Sequence, residues 1–172
     1  MKKNGSNELN PERLGRLLDC HGAALELFAR QWTDSAPDVV QTAFVKLASL
    51  SVPPGKVVSW LYCVVRNGAI AAARSESRRK RHESSGAQVR PNWFAPSPED
   101  RIDAEAASRA LVELPQSQRE VIVARLWGGL SFQEIADLLE LSSSTAHRYY
   151  EAGLAALRIK LGEKCQIHKN SE

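Results

Sequence analysis

The chain has few cysteines, no long apolar run and no stretch of sustained polar–apolar alternation. Each absence closes off a class of protein. Cys20, Cys63 and Cys165 are odd in number and far apart, so no disulfide framework is implied. Cys20 adjoins His21, and Cys165 precedes His168 by three residues, yet no Cys-x-x-Cys pair completes either into a zinc set. No segment approaches the roughly 18–20 apolar residues of a membrane span, so membrane insertion is not expected. The opening MKKNGSNELNPERL has two lysines with no apolar stretch behind them, which argues against a secretory signal and for a cytoplasmic location. Without period-two alternation, strands are not expected. A Ser/His/Asp set, a metal cluster and a phosphate-cradling glycine loop are all missing, and His21 and His147 lack an evident carboxylate partner in sequence. An enzyme, a bound metal and a cofactor are therefore not expected.

What is present suffices for one or two packed domains: 172 residues, 43% of them apolar and 25% charged. The formal net charge is +3, but it is unevenly spread. Residues 1–98 carry 14 Lys/Arg against 8 Asp/Glu, whereas residues 99–163 carry 7 against 11. The first half is basic and the second acidic, which predicts two domains with different tasks.

Helical spacing begins at Leu14 and continues through Leu17, Leu18, Leu25, Leu27 and Phe28. A second helix is expected in TDSAPDVVQTAFVKLASL, with Ser35 as N-cap, Pro37 in the first turn, Asp38 complementing the helix dipole, and Val40, Phe44 and Leu47 facing inward. Pro53, Pro54 and Gly55 break the chain. VVSWLYCVVRNGAIAAARSESRRKR then reads as one long helix, apolar at its start and basic at its end. Residues 84–98 hold three prolines, a glycine and three serines, a linker composition that also contains Trp93 and Phe94. These two aromatics suit either docking on a surface or covering a neighbouring apolar patch. Beyond the linker, Ile102, Ala106, Ala110 and Leu111 suit one helix. Ser117 can cap another, with Val121, Ile122, Ala124 and Leu126 as its stripe and Gly128-Gly129 ending it. The last ten residues read as a polar tail. The expected fold is all-α, in two helical domains joined by a flexible linker. The expected boundaries are 1–11 disordered, 12–83 first domain, 84–100 linker, 101–162 second domain and 163–172 tail.

The segment LSFQEIADLLELSSSTAHRYYEAGLAALRIKL has the spacing of a helix-turn-helix. Ser131 and Glu134 form a capping-box pattern, and Phe132, Ile135, Ala136 and Leu139 line one face. The small Ala136 permits a close crossing, Leu141 can pin the turn, and Ser142 or Ser143 can cap the second helix. Glu140 occupies the turn position that often takes positive φ, at a cost of about 1 kcal/mol. The second helix buries Ala146, Tyr150, Gly153, Leu154 and Leu157, leaving Ser143, Ser144, His147, Arg148 and Glu151 on or near the outer face. Such side chains can bond base edges or phosphates in a major groove. Yet Arg148 is the only Lys or Arg between Leu126 and Leu157, so this acidic domain is expected to bind DNA weakly by itself.

Residues 66–81 are the opposite case. Arg66, Arg74, Arg78, Arg79, Lys80 and Arg81 face a single acid, Glu76. Trp60 and Tyr62 lie one or two turns upstream, and aromatics beside a basic track suit unstacked single-stranded bases. Trp60 is equally readable as a core residue.

APDVVQTAFVKLASL with SWLYCVVRNGAIAAARSESRRKRHE resembles region 2 of the extracytoplasmic-function (ECF) group of sigma-70 factors. LVELPQSQREVIVARLWGGLSFQEIADLLELSSSTAHRYYEAGLAALR resembles region 4 of the same group. Together the likeness covers residues 12–162. It implies a dissociable subunit of bacterial RNA polymerase that directs promoter-specific initiation. Asp38, Val39, Gln41 and Phe44 match the helix that meets the core enzyme. Trp60, Arg66, Asn67, Arg74, Arg78, Arg79 and Arg81 match the surface that opens and reads minus-ten DNA. Ser143, Ser144, Thr145, His147 and Arg148 match the minus-35 recognition helix. Partners implied are core RNA polymerase, promoter DNA and, as is common in the family, an anti-sigma factor. The recognition helix departs from the pattern in its few basic residues, with Tyr149, Tyr150, Glu151 and Gly153 at commonly basic or small positions. Two other readings of the same residues are a stand-alone helix-turn-helix regulator and a degenerate sigma-like adaptor that does not read promoters.

Overall fold

The computed structural model describes residues 10–82, 107 and 109–169, the side chains of 80–82 and 162–169 excepted. Every regular element among them is helical: α1 (Pro11–Ala29), α2 (Ala36–Ala48), α3 (Val57–His82), α4 (Gln116–Leu126), α5 (Phe132–Leu139) and α6 (Ser143–Lys169), with a helical stretch at 109–112 before α4 where the sequence placed Ala110 and Leu111. No described helix is long and apolar enough to cross a membrane. The chain divides into two compact units, Met1–Val89 and Arg90–Glu172. The expected linker, with Trp93 and Phe94, lies outside the described residues, as do residues 1–9 and 170–172.

In the first unit α1, α2 and α3 pack against one another. α1 starts earlier than its apolar pattern does, because the Asn10 side chain accepts the Arg13 N–H at 2.8 Å and Pro11 suits the first turn. Leu25 and Phe28 of α1, Val40 and Leu47 of α2, and Leu61, Tyr62 and Val65 of α3 form the core, each at most 2% exposed. Burying one such side chain stabilises by roughly 1.5–3 kcal/mol. Leu18, part of the helical apolar pattern, is 47% exposed. At Gly68 a Cβ would lie 3.0 Å from Val39 Cγ1, so α2 and α3 approach closely there.

Ser35 does precede α2, but its hydroxyl does not cap that helix. It donates instead to Glu76 Oε1 of α3 at 3.3 Å. Buried Thr33 donates to the same oxygen at 2.5 Å and accepts the Ser35 N–H at 3.1 Å. The one acid within the basic stretch of α3 thus fastens the α1–α2 loop onto that helix. Pro37 and Asp38 occupy the first turn as expected.

In the second unit α6 packs on both α4 and α5. Val121, Ile122, Val123 and Ala124 are fully buried and Glu120 almost so, meaning that α4 is enclosed nearly all round. Three residues of the expected stripe, Val121, Ile122 and Ala124, are thus inside, while Leu126, assigned to the same stripe, is half exposed. Pro115, not Ser117, holds the N-cap position, with Ser117 already inside the helix. The exit is as read: Gly129 has φ +66°, and the Leu130 N–H reaches Ala124 O at 3.2 Å. α6 is longer than expected and runs through most of the polar C-terminal segment, to Lys169.

One close approach decides how α6 sits. At Gly153 a Cβ would fall 2.5 Å from Ile122 Cδ1 and 3.4 Å from Gln118 Cβ. Any larger residue here would force the buried Ile122 side chain to shift. Leu111, Leu114 and Ile122, with Tyr150, Ala156 and Leu157 of α6, then close a common cluster. At its edge Lys160 pairs with Glu113 at 2.5 Å.

Candidate nucleic-acid interface

The turn between α5 and α6 is built from local rules. Ser131 Oγ accepts the Glu134 N–H at 3.3 Å, and Glu134 returns a carboxylate oxygen to the Ser131 N–H at 2.9 Å, a complete capping box. α5 ends at Glu140 with φ 56° and ψ 45°, the left-handed turn its position implied. The Leu141 N–H then closes on Ala136 O at 2.9 Å. Ser142 caps α6, accepting the Thr145 N–H at 3.1 Å, and its hydroxyl also meets those of Ser144 at 2.9 Å and Thr145 at 2.8 Å. Ala136 and Ala146 are buried, so the two helices cross through small side chains.

This geometry sorts the residues expected on the recognition face. Ser144, His147 and Arg148 are exposed. Spaced i, i+3 and i+4, they share one helix face with Glu151 at i+7. Ser143 and Thr145 are half-buried, and the Thr145 hydroxyl is engaged at the cap. His147 does have a carboxylate neighbour, contrary to expectation: Glu151 Oε1 lies 3.9 Å from Nε2, one helical turn on. The His147 ring also meets Phe132 edge-to-face, with centroids 4.9 Å apart at 65°. Arg148 lies over its neighbour Tyr149, 5.8 Å from the ring centre.

The second surface is the solvent side of α3. Asn67, Arg74, Arg78 and Arg79 are exposed, while Trp60 and Arg66 are half-buried. Trp60 and Asn67, seven residues apart, lie on one face of the helix. The side chain of Arg81 falls outside the described residues. Tyr62 cannot stack on a base. It is fully buried against Phe28, with centroids 4.9 Å apart, and burial raises its phenol well above the usual range. An alternating choice between Trp60 and Tyr62 is what helix geometry imposes: two residues apart, they point about 200° from each other.

Sequence reasoning missed Trp32. It follows α1 and meets Phe28 edge-to-face at 5.2 Å, while the Arg66 guanidinium carbon lies 6.0 Å from its ring centre. Trp32, Ile70, Ala73, Arg74, Ser77 and Arg78 line an open concavity of about 660 Å³. An aromatic wall beside two arginines is the chemistry of a nucleic-acid surface. The only early signal was an aromatic at the end of an amphipathic helix, which core packing explains equally well.

Of the residues matched to the core-enzyme helix, Asp38 and Gln41 are exposed and Val39 is half-buried against Gly68. Phe44 is 6% exposed and belongs to the core. It also lines, with Leu14, Leu18 and Val45, an apolar groove between α1 and α2.

Residues 104–157, which include the whole turn, match the family model for sigma-70 region 4. Over 109 residues the chain is 30% identical to the ECF RNA polymerase sigma factor EcfG of Rhodopseudomonas palustris, a match covering 60% of this chain and 58% of that protein. Two solved structures share the fold. One is the sigma factor RpoE in complex with the anti-sigma factor NepR from Bartonella quintana, with TM-score 0.70 and 22% identity over 89% of this chain and 98% of that one. The other is CnrH in complex with the cytosolic domain of CnrY, with TM-score 0.62 and 24% identity over 90% of each chain.

Proposed function

We propose that this chain is a sigma factor of the ECF group of the sigma-70 family, which binds core RNA polymerase and directs it to promoters. The observation that carries the reading is the second unit. A capped α5, a left-handed Glu140 and a capped α6 present Ser144, His147 and Arg148 together within the segment that matches region 4. In this reading that face enters the minus-35 major groove, with Ser143 and Thr145 holding the helix start against the phosphate backbone. Arg66, Asn67, Arg74, Arg78, Arg79 and Arg81 of α3, with Trp60 and Trp32, receive minus-ten DNA once its bases unstack. Asp38, Val39 and Gln41 of α2 face core polymerase, with Phe44 in support beneath them.

The two DNA surfaces act in tandem. Each is weak for a different reason: the recognition face at the start of α6 carries one arginine, Arg148, and α3 is basic but has little to read a duplex with. Joined through polymerase, the second contact becomes intramolecular and gains affinity through effective concentration. The protein is on this account a cytoplasmic, non-catalytic subunit. The relative crystallised with an anti-sigma factor makes a similar inhibitory partner part of the proposal.

In vitro transcription tests this directly. Core polymerase with the full chain gives start sites sharing a minus-ten and a minus-35 element, while the free chain gives no specific shift of the same promoters at physiological salt. Tight sequence-specific binding by the free chain would instead favour a stand-alone regulator.

A further inference from the structure

We propose that Phe132 and Arg125 are positioning residues for base reading by His147, so that sequence preference on the α6 face is set partly from α4 and α5. The inference rests on the promoter-reading role above.

An exposed imidazole at the surface of a helix rotates freely, and ordering it on a base costs entropy. His147 is exposed yet held. Its ring packs edge-to-face on Phe132 at 4.9 Å and 65°. Phe132 is held in turn. It is the first residue of α5, directly after the N-cap Ser131, and its ring meets Tyr150 at 5.5 Å and 67°. The guanidinium carbon of Arg125 lies 4.9 Å from the Phe132 ring centre. Arg125 comes from the last turn of α4, and its Nη1 donates to Leu130 O at 2.8 Å. A continuous chain of contacts therefore runs from α4, through the loop before α5, to the imidazole on the outer face.

Glu151 supplies the other contact to His147, but both groups are more than half exposed and 3.9 Å apart, so that pair holds the ring weakly. The aromatic contact is the stronger constraint because it is geometric and insensitive to salt. Arginine suits its position for a reason lysine does not share. A planar guanidinium can lie over a ring and still direct one N–H at a carbonyl.

The test is transcription by holoenzyme, assembled from core polymerase and the full chain, on a promoter pool randomised across the minus-35 element. Transcript sequencing reports base preference at each position. His147→Ala flattens the preference at one position by about tenfold. Phe132→Leu flattens that same position by about threefold, and adds nothing when His147 is already alanine. Arg125→Met gives a smaller loss there, while Phe132→Tyr, which keeps the ring, retains the preference. Thermal melts accompany each variant. Should Phe132→Leu melt below the assay temperature, Arg125→Met and Phe132→Tyr decide the question.

The failures separate cleanly. No promoter-dependent transcript from the unaltered chain sinks the promoter-reading role itself. Wild-type preference in Arg125→Met and Phe132→Leu, at a position that His147→Ala changes, overturns the positioning role and leaves promoter reading standing. An unchanged profile in His147→Ala also overturns it.

Discussion

α3 and α6 are both long helices that offer polar side chains to solvent, but they do so by opposite means. α3 exposes Arg74, Arg78 and Arg79 along its outer side, and its one acid in that stretch, Glu76, is turned away to bind Thr33 and Ser35. α6 exposes Ser144, His147 and Arg148 together with Glu151. A row of arginines gives affinity that depends on salt and hardly on sequence, through counterion release. A mixed, tightly held face gives discrimination between bases with little affinity of its own. The difference teaches that a two-site binder need not make each site good at everything: in the proposed reading α3 anchors and α6 selects.

The largest expected effect tests this division. Replacing Arg74, Arg78 and Arg79 together by alanine lowers the salt slope of holoenzyme–promoter binding by about 2–3, since each phosphate contact contributes roughly 0.7–0.9. Arg148→Ala lowers that slope by about 1 at most and instead alters preference within the minus-35 element. Filter binding across a salt series measures both. A slope change from Arg148→Ala as large as that of the triple variant would break the comparison.

Next in size is Gly153→Ala. Its new Cβ falls 2.5 Å from Cδ1 of Ile122, which is fully buried and must shift. The second unit loses about 1–3 kcal/mol, read by hydrogen exchange in α4–α6, while α1–α3 are unaffected. In the first unit the comparable fastening is Glu76. Glu76→Ala leaves the buried Thr33 O–H without its acceptor and costs about 1–2 kcal/mol, and Glu76→Gln costs less because an amide oxygen still accepts. Denaturant melts of the two variants measure the difference. The smallest effect is a gain. Glu140→Gly relieves a left-handed residue and stabilises the turn by up to about 1 kcal/mol, raising the melting temperature of the second unit without changing minus-35 preference.

Much of the second unit was legible before any coordinates. The Ser131–Glu134 box, the positive φ of Glu140, the cap before α6 and the buried Ala136 and Ala146 all followed from short spacings. In the first unit the helices and most of the core of α2 were legible in the same way. The failures share a feature. Ser35 was a sound N-cap by type, but its hydroxyl found Glu76, 41 residues away. Tyr62 read as a base platform until Phe28 was seen against it. Trp32, an aromatic at the end of an amphipathic helix, was indistinguishable from a core residue.

Sequence alone determined what lies within one turn of chain: which residues start and stop helices, where the backbone turns left-handed, and how charge is split between the halves. Those features depend on hydrogen bonds over three or four residues, whose partners are set by spacing. Tertiary structure alone decided which polar group each side chain reaches and which aromatics stay wet. Glu76 against Thr33, Arg66 over Trp32, and Gly153 against Ile122 join residues 31 to 43 positions apart. Such pairs form only where the packing of whole helices brings them together, and that packing is a property of all the contacts at once.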